Sequence, residues 1–153
     1  MAASPEVRAP AVSGLMLSGL CELALGALAG WPYAFAIANP ERARSLGLRS
    51  SARLRQWHLD LVMLGGLTVL AATAVPRPPR AVARTLGMGA WSNAMLFGPL
   101  ALWPEAKDHP AYRAAVAASF AATSTGFVGL AVEGRRRHRA VRPTRRIWWK
   151  GAS

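Results

Sequence analysis

The sequence predicts an all-α integral membrane protein, a four-transmembrane-helix bundle. Three observations carry that prediction. Hydrophobic residues fill 52% of the 153 positions and charged residues 17%, where an ordinary soluble domain carries about 25% charged. The charges are segregated: residues 86–103 and 114–132 hold none. Residues 12–38 hold a single ionisable side chain, Glu22, and residues 57–75 hold His58 and Asp60 at their start. A soluble four-helix bundle is the alternative, but its helices would each show a charged face opposite the apolar one.

Backbone polar groups in lipid must pair within their own segment, so each apolar stretch is read as a helix. The first is expected over about residues 12–38, bent near Trp31-Pro32 and ended by Asn39-Pro40. A cleavable leader competes here, because Ala27-Leu28-Ala29 fits the small-x-small rule. Arg8 is offset by Glu6 and Glu22 interrupts the apolar run, which favours an uncleaved helix. The second helix is expected over 57–75, closed by Pro76-Arg77-Pro78-Pro79. The third is expected over 82–103, with Pro99 tolerated inside it as membrane bundles allow. The fourth is expected over 112–133, followed by a basic tail over 134–153. Trp31, Tyr33, Trp57, Trp103 and Tyr112 stand near these ends, as interfacial aromatics do. The whole chain makes one membrane domain.

Nineteen Lys and Arg oppose seven Asp and Glu, a formal net charge of +12. With both termini cytoplasmic, 12 basic residues lie inside and seven outside, which orients the protein in the inner membrane. The Arg42–Arg55 cluster falls on the wrong side of that rule and reads as a headgroup-level extension of the second helix. The run Arg135-Arg136-Arg137-His138-Arg139 follows an apolar helix, so it reads as a flank touching anionic lipid, not as a nucleic-acid site. Trp148 and Trp149 fit the same surface role. The single cysteine, Cys21, excludes an internal disulfide and any Cys-rich metal site, and reads as packing.

Ionisable groups inside lipid are costly, which makes Glu22, His58 and Asp60 functional candidates. Gly65 and Gly66 follow His58 by two turns on one face. An imidazole above bare backbone suits a flat ligand, and neutral imidazole is a common haem-iron ligand. An interfacial histidine hydrogen-bonded to a neighbouring helix fits the same residues, so both roles stay open. Asp60 points to another face, where it pairs with another helix or lines a wet cavity. Glu22 and Asp60 together also admit a proton-coupled carrier. Gly89, Asn93 and Phe97 share a face of the third helix, flanked by Trp91 and Ser92. The Asn93 amide needs either a neighbouring helix or a substrate. Ala115, Ser119 and Thr123, then Gly126 and Gly129, form a small-residue row, and Gly26-x-x-x-Gly30 forms another. Such rows predict close helix association and a homo-oligomer. No nucleotide loop, nucleophile elbow, paired-His zinc helix or covalent haem motif is present.

Arg55-Gln-Trp-His58-Leu with Gly65 after it, and Gly89-Ala-Trp91-Ser-Asn93, carry a resemblance. The chain resembles the styrene oxide isomerases and is similar to the hydroxylaminobenzene mutases, both small four-helix membrane proteins. The resemblance implies a trimer with haem b between neighbouring subunits. His58 would be the axial ligand, with Gly65 and Trp91 against the cofactor and Asn93 and Asp60 toward substrate. Ferric iron would act as a Lewis acid on an epoxide oxygen. Hydride then migrates from the neighbouring carbon to give an aldehyde, with no net electrons exchanged, and dry walls exclude water. Leu64, Gly89 and Phe97 stand where the isomerases have Asn, an acid and Tyr. Asn93 alone survives of that polar set, and Asp60 is an added polar group. The expected function is a haem-b-dependent membrane isomerase of a small lipophilic aryl epoxide. A non-catalytic haem-binding protein, a partner subunit and a proton-coupled carrier are the alternatives.

Overall fold

The computed structural model describes residues 12–141. Arg8, Trp148, Trp149 and the end of the basic tail, residues 142–153, lie outside them. The helices are α1 (Gly14–Ala38), α2 (Pro40–Ser45), α3 (Ser51–Ala74), α4 (Arg80–Met95), α5 (Phe97–Leu102) and α6 (Pro110–Val141), with a 3₁₀ turn at Pro104–Asp108. Among the described residues there is no strand, so the all-helical expectation holds. Three helices, α1, α3 and α6, are long and apolar enough to cross a membrane.

The expected third helix is broken. Pro99 has no N–H to donate to the Met95 carbonyl, and its ring crowds that carbonyl. The chain therefore steps at Leu96 between α4 and α5. Leu96 keeps helical dihedrals (φ −65°, ψ −22°), so the step does not reverse the chain. Its carbonyl accepts a hydrogen bond from the Tyr112 hydroxyl at 2.8 Å. Neither piece alone has the length of a span. Two other boundaries also move. α3 starts at Ser51, six residues before the expected start, with Ser50 as its cap: Ser50 Oγ accepts from the Arg53 amide at 3.3 Å. α6 runs on to Val141, so the Arg135–Arg139 run is its final turns and not a separate tail. Basic residues there suit the negative end of the helix dipole.

The Arg-rich connection is built, not loose. α2 ends in a Schellman motif: Leu48 N–H donates to the Ala43 carbonyl and Gly47 N–H to the Arg44 carbonyl, at 2.9 and 3.0 Å. Gly47 takes φ 87°, which a side chain would resist. The Arg49 and Ser50 amides then donate to the Ala101 carbonyl at the end of α5. This ties the connection to the third apolar segment.

The helices pack as two close antiparallel pairs, α1 with α3 and α4 with α6, joined mainly through α3 against α4 and α5. The core is made of small residues and a few leucines: Ala29, Leu61 and Ala94 in one cluster, Leu15, Ala72, Leu86 and Leu130 in another. Large apolar side chains point outward instead. Leu28 is 64% exposed, Leu70 66% and Met88 73%. Small residues inside and large ones outside is the pattern expected when lipid is the solvent.

Most of both small-residue rows is used within the chain, while Ala115 at the start of the α6 row is exposed. A Cβ at Gly26 would lie 2.8 Å from Val62 Cγ2 on α3, and one at Gly126 would lie 2.5 Å from Leu86 Cα on α4. Ser119, Thr123 and Gly126 are the buried face of α6. These buried members join helices of the one chain. Cys21 is exposed on the outer face of α1, so it does not fill the core.

At the opposite end of the bundle, Arg137 on α6 clamps the α3–α4 turn. Its Nη1 and Nη2 donate to the Pro76 and Arg77 carbonyls at 2.6 and 3.0 Å, and its Nε to Glu133 at 2.8 Å. The clamp holds Arg77 in a left-handed conformation, φ 51°. Arg137→Ala should speed amide exchange around residues 76–80 and lower stability by only about 1 kcal/mol, since the guanidinium is partly exposed. Unchanged exchange there would mean the clamp holds nothing.

Candidate functional site

The α1–α3 crossing places His58. Gly19, Gly26 and Gly30 on α1 meet α3 with no side chain between, and Gly65 answers from α3. The His58 ring lies over Gly30, where a Cβ would come within 3.3 Å of Cε1. Tyr33, one turn further, stacks on it with ring centroids 6.5 Å apart and an interplanar angle of 18°. His58 Nδ1 is 2.7 Å from the Gly26 carbonyl oxygen. A carbonyl can only accept, so Nδ1 carries the proton and donates. In the neutral ring Nε2 then holds the lone pair. A metal-binding histidine is commonly oriented in this way, with its other N–H on a backbone carbonyl.

The half-buried ring stands about 10 Å below the start of α3, on the face toward α1. The bare-backbone face expected below it is not bare. A Cβ at Gly65 would lie 2.7 Å from the Leu23 backbone nitrogen and 2.8 Å from the Gly19 carbonyl oxygen. α1 occupies that face, so Gly65 serves helix packing and does not lie against a ligand within this chain.

The third-segment candidates sit elsewhere. Trp91 Nε1 donates to Ser18 Oγ at 3.0 Å. Ser18 and Gly30 are twelve residues apart on α1, about 18 Å of helix, so Trp91 does not touch the imidazole of its own chain. Ser92 Oγ donates to the Gly89 carbonyl and bonds Ser119 Oγ across to α6, at 3.1 and 3.0 Å. A methyl at Gly89 would strike the Thr123 backbone, so Gly89 is a contact point with α6. Asn93 is half-buried and its amide makes no hydrogen bond among the described residues. Asp60, also half-buried, lies two residues from His58 and turns to another side of α3, with no ion pair among the described residues.

Glu22 is fully buried on α1, and neither carboxyl oxygen has a hydrogen-bond partner among the described residues. Thr68 on α3 is also fully buried, with an unpartnered hydroxyl. No group of three or more His, Cys, Asp or Glu gathers among the described residues. His58 could hold a metal that brings its other ligands with it, as a porphyrin does. Sequence reasoning missed the Gly26 carbonyl and Tyr33 as neighbours of His58. The spacing Gly26-x-x-x-Gly30-x-x-Tyr33 puts all three on one face of α1 and was the available signal. Comparison with protein families, with characterised proteins and with solved structures returned no match.

Proposed function

We propose that this is a four-span inner-membrane protein with both termini cytoplasmic, that it binds haem b through His58, and that it rearranges a small lipophilic aryl epoxide to an aldehyde. The observation that carries the reading is the fixed tautomer of His58: Nδ1–H on the Gly26 carbonyl, Nε2 with its lone pair. A single protein ligand suits a group that supplies its own equatorial nitrogens. The ring is half-buried and held, not adrift in solvent. α4 and α5 together make the fourth crossing, because Leu96 keeps the chain moving forward.

Bound ferric haem would supply a Lewis acid for the epoxide oxygen. The chain does the rest. The Gly26 carbonyl orients His58 and strengthens its Nε2 as a ligand. Leu25 and Leu64 pack against the Ala29, Leu61 and Ala94 cluster, an apolar region that would help exclude water. Asn93 and Asp60 are half-buried, without side-chain partners among the described residues, and would position the substrate. Trp91, bonded to Ser18, stands too far along α1 to reach His58 of its own chain, so the reading places the site between protomers of a homo-oligomer, a trimer by the resemblance.

The test is optical and then chemical. Full-length protein expressed with ample porphyrin supply and purified in mild detergent should show a Soret band that His58→Ala abolishes or shifts while helix content is kept. It should then convert styrene oxide to an aldehyde. Colourless protein ends the haem reading. Haem-loaded protein inert to epoxides and hydroxylamines points to a non-catalytic haem protein. The orphaned carboxyl of Glu22 favours a second reading, a proton-coupled carrier. Uptake into liposomes that survives both Glu22→Gln and Asp60→Asn removes it.

A further inference from the structure

A cleft of about 440 Å³ opens between the start of α1, the Pro76–Pro79 turn and the first two turns of α4, within the range of about 300–1,000 Å³ typical of ligand sites. Arg77, Arg80 and Arg84 line it together with Ser13 and Ser18, and among the described residues no carboxylate does. Arg80 and Arg84 are four apart on α4 and share a face, where like charges repel. Neither they nor Arg77 form an ion pair among the described residues. The Arg77 backbone is set by the clamp from Arg137.

The two serines add to the same sign. Ser13 Oγ accepts from the Met16 amide at 3.2 Å and Ser18 Oγ accepts from Trp91 Nε1 at 3.0 Å. Each therefore keeps its own O–H as a donor. Three guanidiniums and two hydroxyl protons make a cleft that offers donors and positive charge. The cleft lies where α1 begins and α3 ends, at the boundary between the apolar span and the charged end. On the same two helices, Leu17 and Met88 adjoin the lining residues Ser18 and Gly87 and are 55% and 73% exposed.

We infer that this cleft binds the phosphate headgroup of an anionic phospholipid, with the acyl chains lying along α1 and α4. The phosphate offsets the repulsion among the three arginines, and charge-assisted bonds hold it. This site is separate from His58 and stands whether or not haem is bound. The exposed apolar side chains next to the lining residues, Leu17 beside Ser18 and Met88 beside Gly87, favour a lipid over a soluble phosphate.

The test uses the full chain in mild detergent, incubated with mixed phosphatidylglycerol and phosphatidylcholine micelles and examined by native mass spectrometry. Phosphatidylglycerol should be retained in preference to phosphatidylcholine. Arg77→Gln/Arg80→Gln/Arg84→Gln should reduce that retention about tenfold or more. Arg135→Gln/Arg136→Gln/Arg139→Gln, which removes equal charge at the same end of the bundle, should retain it. Arg84→Gln alone should give a smaller loss in the same direction and serves if the triple variant misfolds. Equal retention by the cleft variants and the wild type, or equal loss in the α6 variant, overturns the site. Displacement by glycerol phosphate at concentrations that leave phosphatidylcholine adducts untouched would assign the cleft to a soluble phosphate compound and overturn the lipid.

Discussion

Gly126→Ala is expected to weaken the α4–α6 pair, and Gly126→Val to part it. Alanine at a helix interior normally gains about 1 kcal/mol over glycine. Here the added methyl would lie 2.5 Å from Leu86 Cα, 2.7 Å from its Cβ and 2.8 Å from its backbone nitrogen. Two of those atoms are backbone and cannot swing aside, so the relief must come from separating the helices. A gap of about 1 Å already forfeits a quarter to a half of each dispersion contact along the seam. Overpacking of this kind costs about 1–3 kcal/mol, which outweighs the propensity gain. Gly66→Ala is the internal control. Its Cβ would meet nothing closer than Leu23 Cδ2 at 4.0 Å, so it should be neutral or slightly stabilising. Unfolding in mixed detergent with rising sodium dodecyl sulfate compares the two. If Gly126→Ala unfolds no earlier than Gly66→Ala, the close approach of α4 and α6 is not real.

That contrast also shows what the sequence could and could not disclose. Charge-free runs of residues announced the apolar helices directly, because lipid excludes charge whatever the neighbours are. Boundaries set by charge were less legible. The apolar run of the second helix starts where the arginines stop, yet α3 begins at Ser51 and carries Arg53 and Arg55 as the expected extension would, while Arg42 and Arg44 fall in the separate α2. A helix need not end where the apolar solvent does, and the same reason carries α6 past residue 133. Pro99 was ambiguous because its effect depends on who takes up the freed carbonyls, and Tyr112 sits 16 residues away from the Leu96 oxygen it satisfies. The glycine rows gave the closeness of a contact without naming its other side. Gly26 and Gly30 turned out to meet α3, and Ser119, Thr123 and Gly126 to meet α4. At the site, an imidazole entering lipid was conspicuous. The oxygen that fixes its tautomer is a backbone carbonyl, which has no residue identity to read.

Glu22→Met is expected to make the protein more stable, the reverse of what most substitutions do. Glu22 is 0% exposed and both its oxygens lack partners. A buried carboxylate alone is very costly, and even a neutral polar group without a hydrogen bond costs about 1–3 kcal/mol. Methionine is unbranched like glutamate and fills the same gap with no polar atom. The gain should therefore be about 1–3 kcal/mol, read as later unfolding in the same detergent titration. Glu22→Gln removes the acid but keeps a polar group in the same place, so it should gain much less. Earlier unfolding of Glu22→Met would mean that the carboxyl has a partner in the working assembly, from water, an ion or another protomer. A group that persists at this expense is a candidate for function, and the same variant separates the two readings. A stabilised Glu22→Met that still yields aldehyde sets the acid apart from His58. A stabilised variant whose only loss is proton-linked uptake assigns the acid to transport.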